Sequence, residues 1–136
     1  MAVIDASVYV ALVNAQEDSH INCWTWFQQA QDLGETVSAP VILLAEVAAA
    51  LSRGLDKPAL AYRIVQQLVK AKVIELVPIS HTLAEMAAKI AIDHKIRGCD
   101  AIYVALAQQI DDYLVTLDEQ QLNRSAHLIT TRKPYP

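Results

Sequence analysis

MAVIDASVYVALV, residues 1–13, sets how the rest of the chain is read. Ala2 to Ile4 is a short apolar run that stops at Asp5, which suits a buried strand. Ala6 to Val13 then reads as a short helix. The chain thus opens as a strand, an acid and a helix, and the same alternation continues outward.

Asp18 and Ser19 offer caps for a second helix, which carries Trp24 and Phe27 and stops near Gly34. Thr36 to Ala39 is the next strand. Pro40 suits the first turn of a third helix, predicted to run to about Arg53 with Gly54 behind it. Asp56 and Pro58 open a fourth, with Leu60, Ile64, Val65 and Leu68 on one face. Val73 to Ile79 holds a strand broken by Pro78, and Ser80 caps a fifth helix. Gly98 is expected to end that segment, and Asp100 to begin a sixth helix. Tyr113 to Thr116 reads as a strand, Glu119 to Leu122 as a helical turn, and His127 to Ile129 as the last strand. Strands alternating with helices imply an α/β sandwich around a mainly parallel sheet. Ligands of such sheets bind beyond the carboxyl ends of the strands, where Asp5 and Asp118 fall.

With 136 residues, 54% of them apolar and 19% charged, the chain is expected to form one domain, residues 1–136, with a real core. No uncharged apolar run reaches the length of a membrane span. The start lacks the basic region of a signal peptide, so a cytoplasmic protein is expected. Cys23 and Cys99 match neither a disulfide framework nor a zinc pattern. The net charge of −4 argues against holding nucleic acid by surface charge alone. It leaves open an enzyme that meets phosphates through bound cations. Basic residues are local: Lys95 and Arg97 stand just before Asp100, and Arg124, Arg132 and Lys133 crowd the C-terminal end.

Four acids need explaining. Glu46 is the only polar side chain in VILLAEVAAAL, residues 41–51. A helix apolar on all sides is usually buried, and acids are almost never buried without partners. Glu46 must therefore face water, a cationic partner or a metal. Its purely structural readings are a surface stripe or a buried ion pair with an arginine. Asp100 precedes AIYVALA, and an N-cap explains it equally well. Asp5 and Asp118 carry the same ambiguity. Three of the four sit at predicted strand–helix or loop–helix transitions and the fourth points out of an apolar helix; gathered in one pocket they would repel one another unless a cation or protons neutralise them. Magnesium and manganese prefer such oxygen ligands. A pair of metals about 4 Å apart can activate water and stabilise the leaving oxygen in phosphodiester cleavage.

At these residues the chain resembles the PIN-domain family, and more narrowly the VapC-like toxins of type II toxin–antitoxin pairs. The matching pieces are VIDASVYVAL around Asp5, APVILLAEVAAAL around Glu46, RGCDAIYVALA around Asp100 and LVTLDEQQL around Asp118. Their order and spacing agree with the family over essentially the whole chain. The resemblance implies a PIN-like three-layer sandwich, a magnesium- or manganese-dependent endoribonuclease, and a cognate antitoxin as partner. It carries the family's metal-site acids onto Asp5, Glu46, Asp100 and Asp118. It also places Ser7 and Thr116 where small hydroxyls often stand beside them. A homodimer is expected as well, partly from the family and partly from the generous apolar content.

The other conspicuous residues have plainer readings. His20, His81, His94 and His127 form no metal spacing, Trp24 and Trp26 read as core and surface residues, and Tyr103 as packing. Lys95 and Arg97 are candidates for RNA phosphate contact, though a solvated helix end explains them equally. The main rival is a PIN-fold interaction module without chemistry. A phosphatase forming an aspartyl-phosphate on Asp5 would want a second acid two residues on, where Ser7 stands. A phosphate-responsive signalling domain lacks the paired acids it would need beside a strand end.

Overall fold

The computed structural model describes residues 1–135; Pro136, the last residue of the expected domain, lies outside them. Strand β1 (Ala2–Ile4) is fully buried and turns at once into helix α1 (Ala6–Val13). Helix α2 (His20–Asp32) follows and ends at Gly34, whose φ of +69° is open to glycine without strain. Next come β2 (Val37–Pro40), α3 (Leu43–Ala49), and a wider π-helical turn over Ala50–Gly54 that closes the third helix. Helix α4 (Pro58–Ala71) leads to β3 (Glu75–Val77). Helices α5 (His81–His94) and α6 (Gly98–Gln109) precede β4 (Tyr113–Val115), α7 (Glu119–Ser125) and β5 (Thr131–Arg132).

The five strands form one sheet in the order β3-β2-β1-β4-β5, and every pair is parallel. Val3 lies opposite Ser38 on one side and Leu114 on the other. The chain moves outward from β1 through β2 to β3, then returns to the far side of β1 with β4. Right-handed crossovers put α1–α4 on one face and α5 and α6 on the other, which makes the predicted α/β sandwich. Burial agrees: Ala2, Val3 and Ile4 are 0% exposed, as a central strand covered on both faces must be. The core runs through Val8, Leu43, Val47 and Leu51 on one side and Leu83, Val104 and Leu106 on the other. The reversal of strand order between β1 and β4 opens a crevice at their carboxyl ends, and this crevice positions the site.

Four boundaries differ from the sequence reading. Pro40 ends β2 instead of opening α3, because a proline at the last strand position forgoes only one N–H. The ladder continues past it through the Val41 amide, which donates to the Val77 carbonyl at 2.9 Å. Gly98 begins α6; α5 is ended earlier by Lys95 in the left-handed region, φ 55°. The strand expected over Val73–Ile79 is confined to Glu75–Val77. The last strand is Thr131–Arg132, since α7 runs to Ser125. The Leu128 and Ile129 amides then close a turn on the Ser125 carbonyl.

Candidate active site

Asp5 occupies the step from β1 to α1 and caps that helix, its Oδ1 accepting from the Val8 amide at 3.3 Å. The same oxygen accepts from Ser7 Oγ at 2.5 Å, and Oδ2 accepts from the Thr116 hydroxyl. The Asp5 side chain is only 7% exposed, and Thr116 is fully buried. Burial pushes the Asp5 pKa up to about 6. The Ser7 and Thr116 hydroxyls and the Val8 amide oppose that shift, while the charge of Asp100 adds to it.

The hydroxyls also lace β4 to β1. Thr116 Oγ1 accepts from the Asp118 amide at 3.0 Å, and Ser7 Oγ from the Leu117 amide at 3.1 Å. Asp118 caps α7, its Oδ1 accepting from the Gln120 and Gln121 amides at 2.9 and 3.3 Å. Buried Gln121 reaches across to α6, where its Nε2 donates to the Asp100 carbonyl at 3.1 Å. The Asp100 side chain lies in the first turn of α6, where the helix dipole favours an anion. Its Oδ2 accepts from Arg97 Nε at 2.9 Å.

Glu46 is half-buried on α3, and its Oε1 accepts from the Tyr103 hydroxyl at 2.5 Å. Tyr103 is 1% exposed. Burial, and then the hydrogen bond to Glu46, push the phenol pKa well up, so the hydroxyl stays protonated and donates. The charges of Glu46, Asp5 and Asp100 all act on Tyr103. Those of Asp100, Asp118 and Glu46 act on Arg97. Each of the four acids therefore lies within electrostatic reach of Tyr103 or Arg97. Among the described residues no three Asp, Glu, His or Cys side chains already close on a single coordination point. The set is nevertheless all oxygen, four carboxylates and two hydroxyls beside one guanidinium, a donor chemistry that suits magnesium or manganese.

The structural alternatives for the acids divide. Asp5 and Asp118 are helix caps as well as members of the cluster. Asp100 is not a cap; Arg97 holds that position. Glu46 is partly open to solvent and takes a hydrogen bond from a neutral hydroxyl, and among the described residues no arginine forms an ion pair with it. Nor is α3 enclosed on all sides, since Ala45 and Ala49 are exposed. Two residues were missed. Tyr103 follows Asp100 by three positions, one helical face, and that spacing was a usable signal. Gln121 was not findable, since nothing in EQQLNRS separates it from the solvated Gln120.

Lys95 and Arg97 are both exposed, Arg97 is paired with Asp100, and the Lys95 carbonyl accepts from Arg124 Nη1 at 2.9 Å. An open cleft of about 450 Å³ is lined by Ser7, Glu17, Ala50 and Leu117, and by none of the four acids. A larger one, about 680 Å³, lies at the opposite edge of the sheet among Gly34, Glu35, Lys72 and Glu75, so volume alone does not locate the acids. Cys23 is buried and Cys99 exposed, both free thiols.

The family model for the PIN domain matches residues 2–127. No curated protein sequence matches the chain. Among solved structures, the Mycobacterium tuberculosis VapC20 toxin, described as cleaving the sarcin–ricin loop, superposes with a TM-score of 0.76 at 17% identity. The match covers 96% of this chain and 97% of that one. Rickettsia felis VapBC2, bound to a DNA fragment from its promoter, gives 0.74 at 14% identity over 97% of each chain. A toxin–antitoxin complex from Klebsiella pneumoniae gives 0.68 at 18% identity, covering 99% of this chain and 98% of that one. At these identities the likeness is one of fold, and it agrees with the all-parallel sheet and the switch-point crevice. With the family model spanning nearly its whole length, the chain belongs to the PIN domain family.

Proposed function

We propose that this protein is a divalent-metal-dependent endoribonuclease and the toxin of a type II toxin–antitoxin pair. One observation carries the reading: a buried Asp5 carboxylate, held only by neutral donors, with the charge of Asp100 acting on it and no cation paired to it among the described residues. A purely structural buried carboxylate is expected to be ion-paired or to lose its charge. A cation supplies the missing counter-charge.

Asp5 and Asp100 are the principal ligands in this reading, and Asp118 and Glu46 complete the set directly or through water. Magnesium or manganese, when bound, supplies an activated water and stabilises charge on the leaving oxygen. Ser7 and Thr116 hold both Asp5 oxygens in place, so the carboxylate does not need to reorganise when a cation arrives. Exposed Lys95 and Arg97 meet the RNA backbone at the rim.

RNA as the substrate class is supported by family membership and by the activity described for the VapC20 toxin. A cognate antitoxin is supported by the neighbouring toxin–antitoxin complexes. Its tail would fold across the acidic crevice and place an arginine against the carboxylates. A cytoplasmic enzyme acting as a homodimer completes the proposal; no helix among the described residues is long and apolar enough to cross a membrane.

The test uses purified, antitoxin-free protein and structured RNA. Magnesium or manganese should support cleavage, EDTA should abolish it, and Asp100→Asn should remove it. Cleavage undiminished by thorough chelation overturns the metal mechanism. A folded wild type that never cleaves with either metal leaves the non-catalytic interaction module.

A further inference from the structure

The Tyr103–Glu46 bond joins residues 57 positions apart and ties α6 to α3 inside the molecule. Its partners are unequal. Tyr103 is enclosed in the core, whereas Glu46 is half-buried at the crevice. Tyr103 also shares a helix with Asp100, three residues before it, so one face of α6 carries both an acid and the donor bound to an acid of α3.

A buried aromatic ring needs no hydroxyl to pack, and a phenylalanine would fill the same volume without a polar atom to satisfy. The hydroxyl here has one partner among the described residues, the Glu46 carboxylate, to which it donates. The donor is neutral. An arginine or lysine in its place would hold Glu46 equally still but cancel its charge. A phenol fixes one oxygen without cancelling the carboxylate's charge and leaves the other oxygen for a cation or a water.

We propose that Tyr103 is a positioning residue that sets Glu46 in the orientation needed for divalent-cation binding. This rests on the nuclease reading of the same crevice, and it adds a residue that touches neither substrate nor cation. Without the hydroxyl, Glu46 keeps its charge but samples other rotamers, and ordering it again is charged against cation affinity. Substitution of a residue that orients a ligand commonly weakens metal binding by about 10–100-fold.

The experiment compares wild type, Tyr103→Phe, Glu46→Gln and the double variant, all as antitoxin-free full-length protein. Manganese binding is measured by calorimetry without RNA, and cleavage as a function of manganese concentration. Tyr103→Phe should bind manganese about tenfold more weakly. It should need correspondingly more metal for half-maximal cleavage, recover most of its rate in excess metal, and keep the wild-type KM for RNA. In the Glu46→Gln background the same change should add little, because the residue it positions no longer carries charge. A readout on unaltered protein accompanies these. Magnesium added to wild type should shift the near-ultraviolet tyrosine difference spectrum, and added to Glu46→Gln it should not. Unchanged manganese affinity in a folded Tyr103→Phe, additive losses in the double variant, or no tyrosine signal in wild type each overturns the proposal. A wild type that neither binds manganese nor cleaves RNA overturns the nuclease reading together with it, and that pattern differs from an active wild type with an indifferent Tyr103→Phe.

Discussion

Asp5 is mostly ionised at neutral pH against the resistance of its surroundings. Burial raises its pKa from the ordinary 3.8 to about 6, so in the metal-free protein the charged form destabilises the fold. The sign follows from linkage. The penalty is present above the folded value, shrinks as pH falls through about 6, and is gone below the unfolded 3.8. At pH 7 it is on the order of 3 kcal/mol, at about 1.36 kcal/mol per pKa unit. Asp5→Asn keeps the shape and an acceptor oxygen while removing the charge. In EDTA at pH 7 the variant should therefore be more stable than wild type, by about 1 kcal/mol or more after some loss in hydrogen bonding. Its melting temperature should vary little between pH 4 and 7, where wild type loses stability. Parallel melting curves for the two proteins across that range would remove the buried charge from the account.

At the level of elements, the site depends on how the loop after β4 is laced to the end of β1. Thr116 Oγ1 donates to Asp5 and accepts from the Asp118 amide, so one hydroxyl joins β1, β4 and the cap of α7. Ser7 repeats the device with the Leu117 amide. Thr116→Val keeps the β-branched shape in the strand end and removes both bonds. Unfolding in urea should show a loss of about 1–3 kcal/mol, the usual cost of stranding a buried partner. The Asp5 pKa should rise further, because one of the groups holding it down is gone, and the loss of stability with rising pH should extend to higher pH. Thr116→Ser should restore most of both effects. A valine variant with wild-type stability and pH profile would show that the lacing is incidental.

For the whole molecule, the exposed apolar surface bears on assembly. Val41 is 39% exposed and Tyr62 77%, and Ala45 and Ala49 lie open on α3 next to Glu46. Apolar side chains left open in this number are candidates for burial at an interface. We expect a homodimer that covers them and brings two acid crevices, with Lys95 and Arg97 at each rim, close to one another. Such an arrangement would help a chain of net charge −4 hold RNA. Sedimentation at micromolar concentration should give twice the mass of the chain; a monomer with full nuclease activity would refute the assembly.

Hydrophobic alternation and helix punctuation were local signals, and they sufficed for the βα order, for Ser80 as a cap, and for Asp5 and Asp118 at strand ends. The four acids could be picked out because a carboxylate in an apolar setting is costly wherever it occurs. Boundaries at Pro40, Gly98 and the last strand were misread, because a proline or glycine is compatible with more than one element and the sheet ladder decides between them. Tertiary structure alone put β4 beside β1, since pairing between strands more than a hundred residues apart leaves no mark in either stretch. It alone turned Tyr103 from filler into the partner of Glu46. The sequence determined which groups carry charge and which segments must be buried. Which neutral atom meets which charged one depends on two helices crossing in space, and no local pattern encodes that.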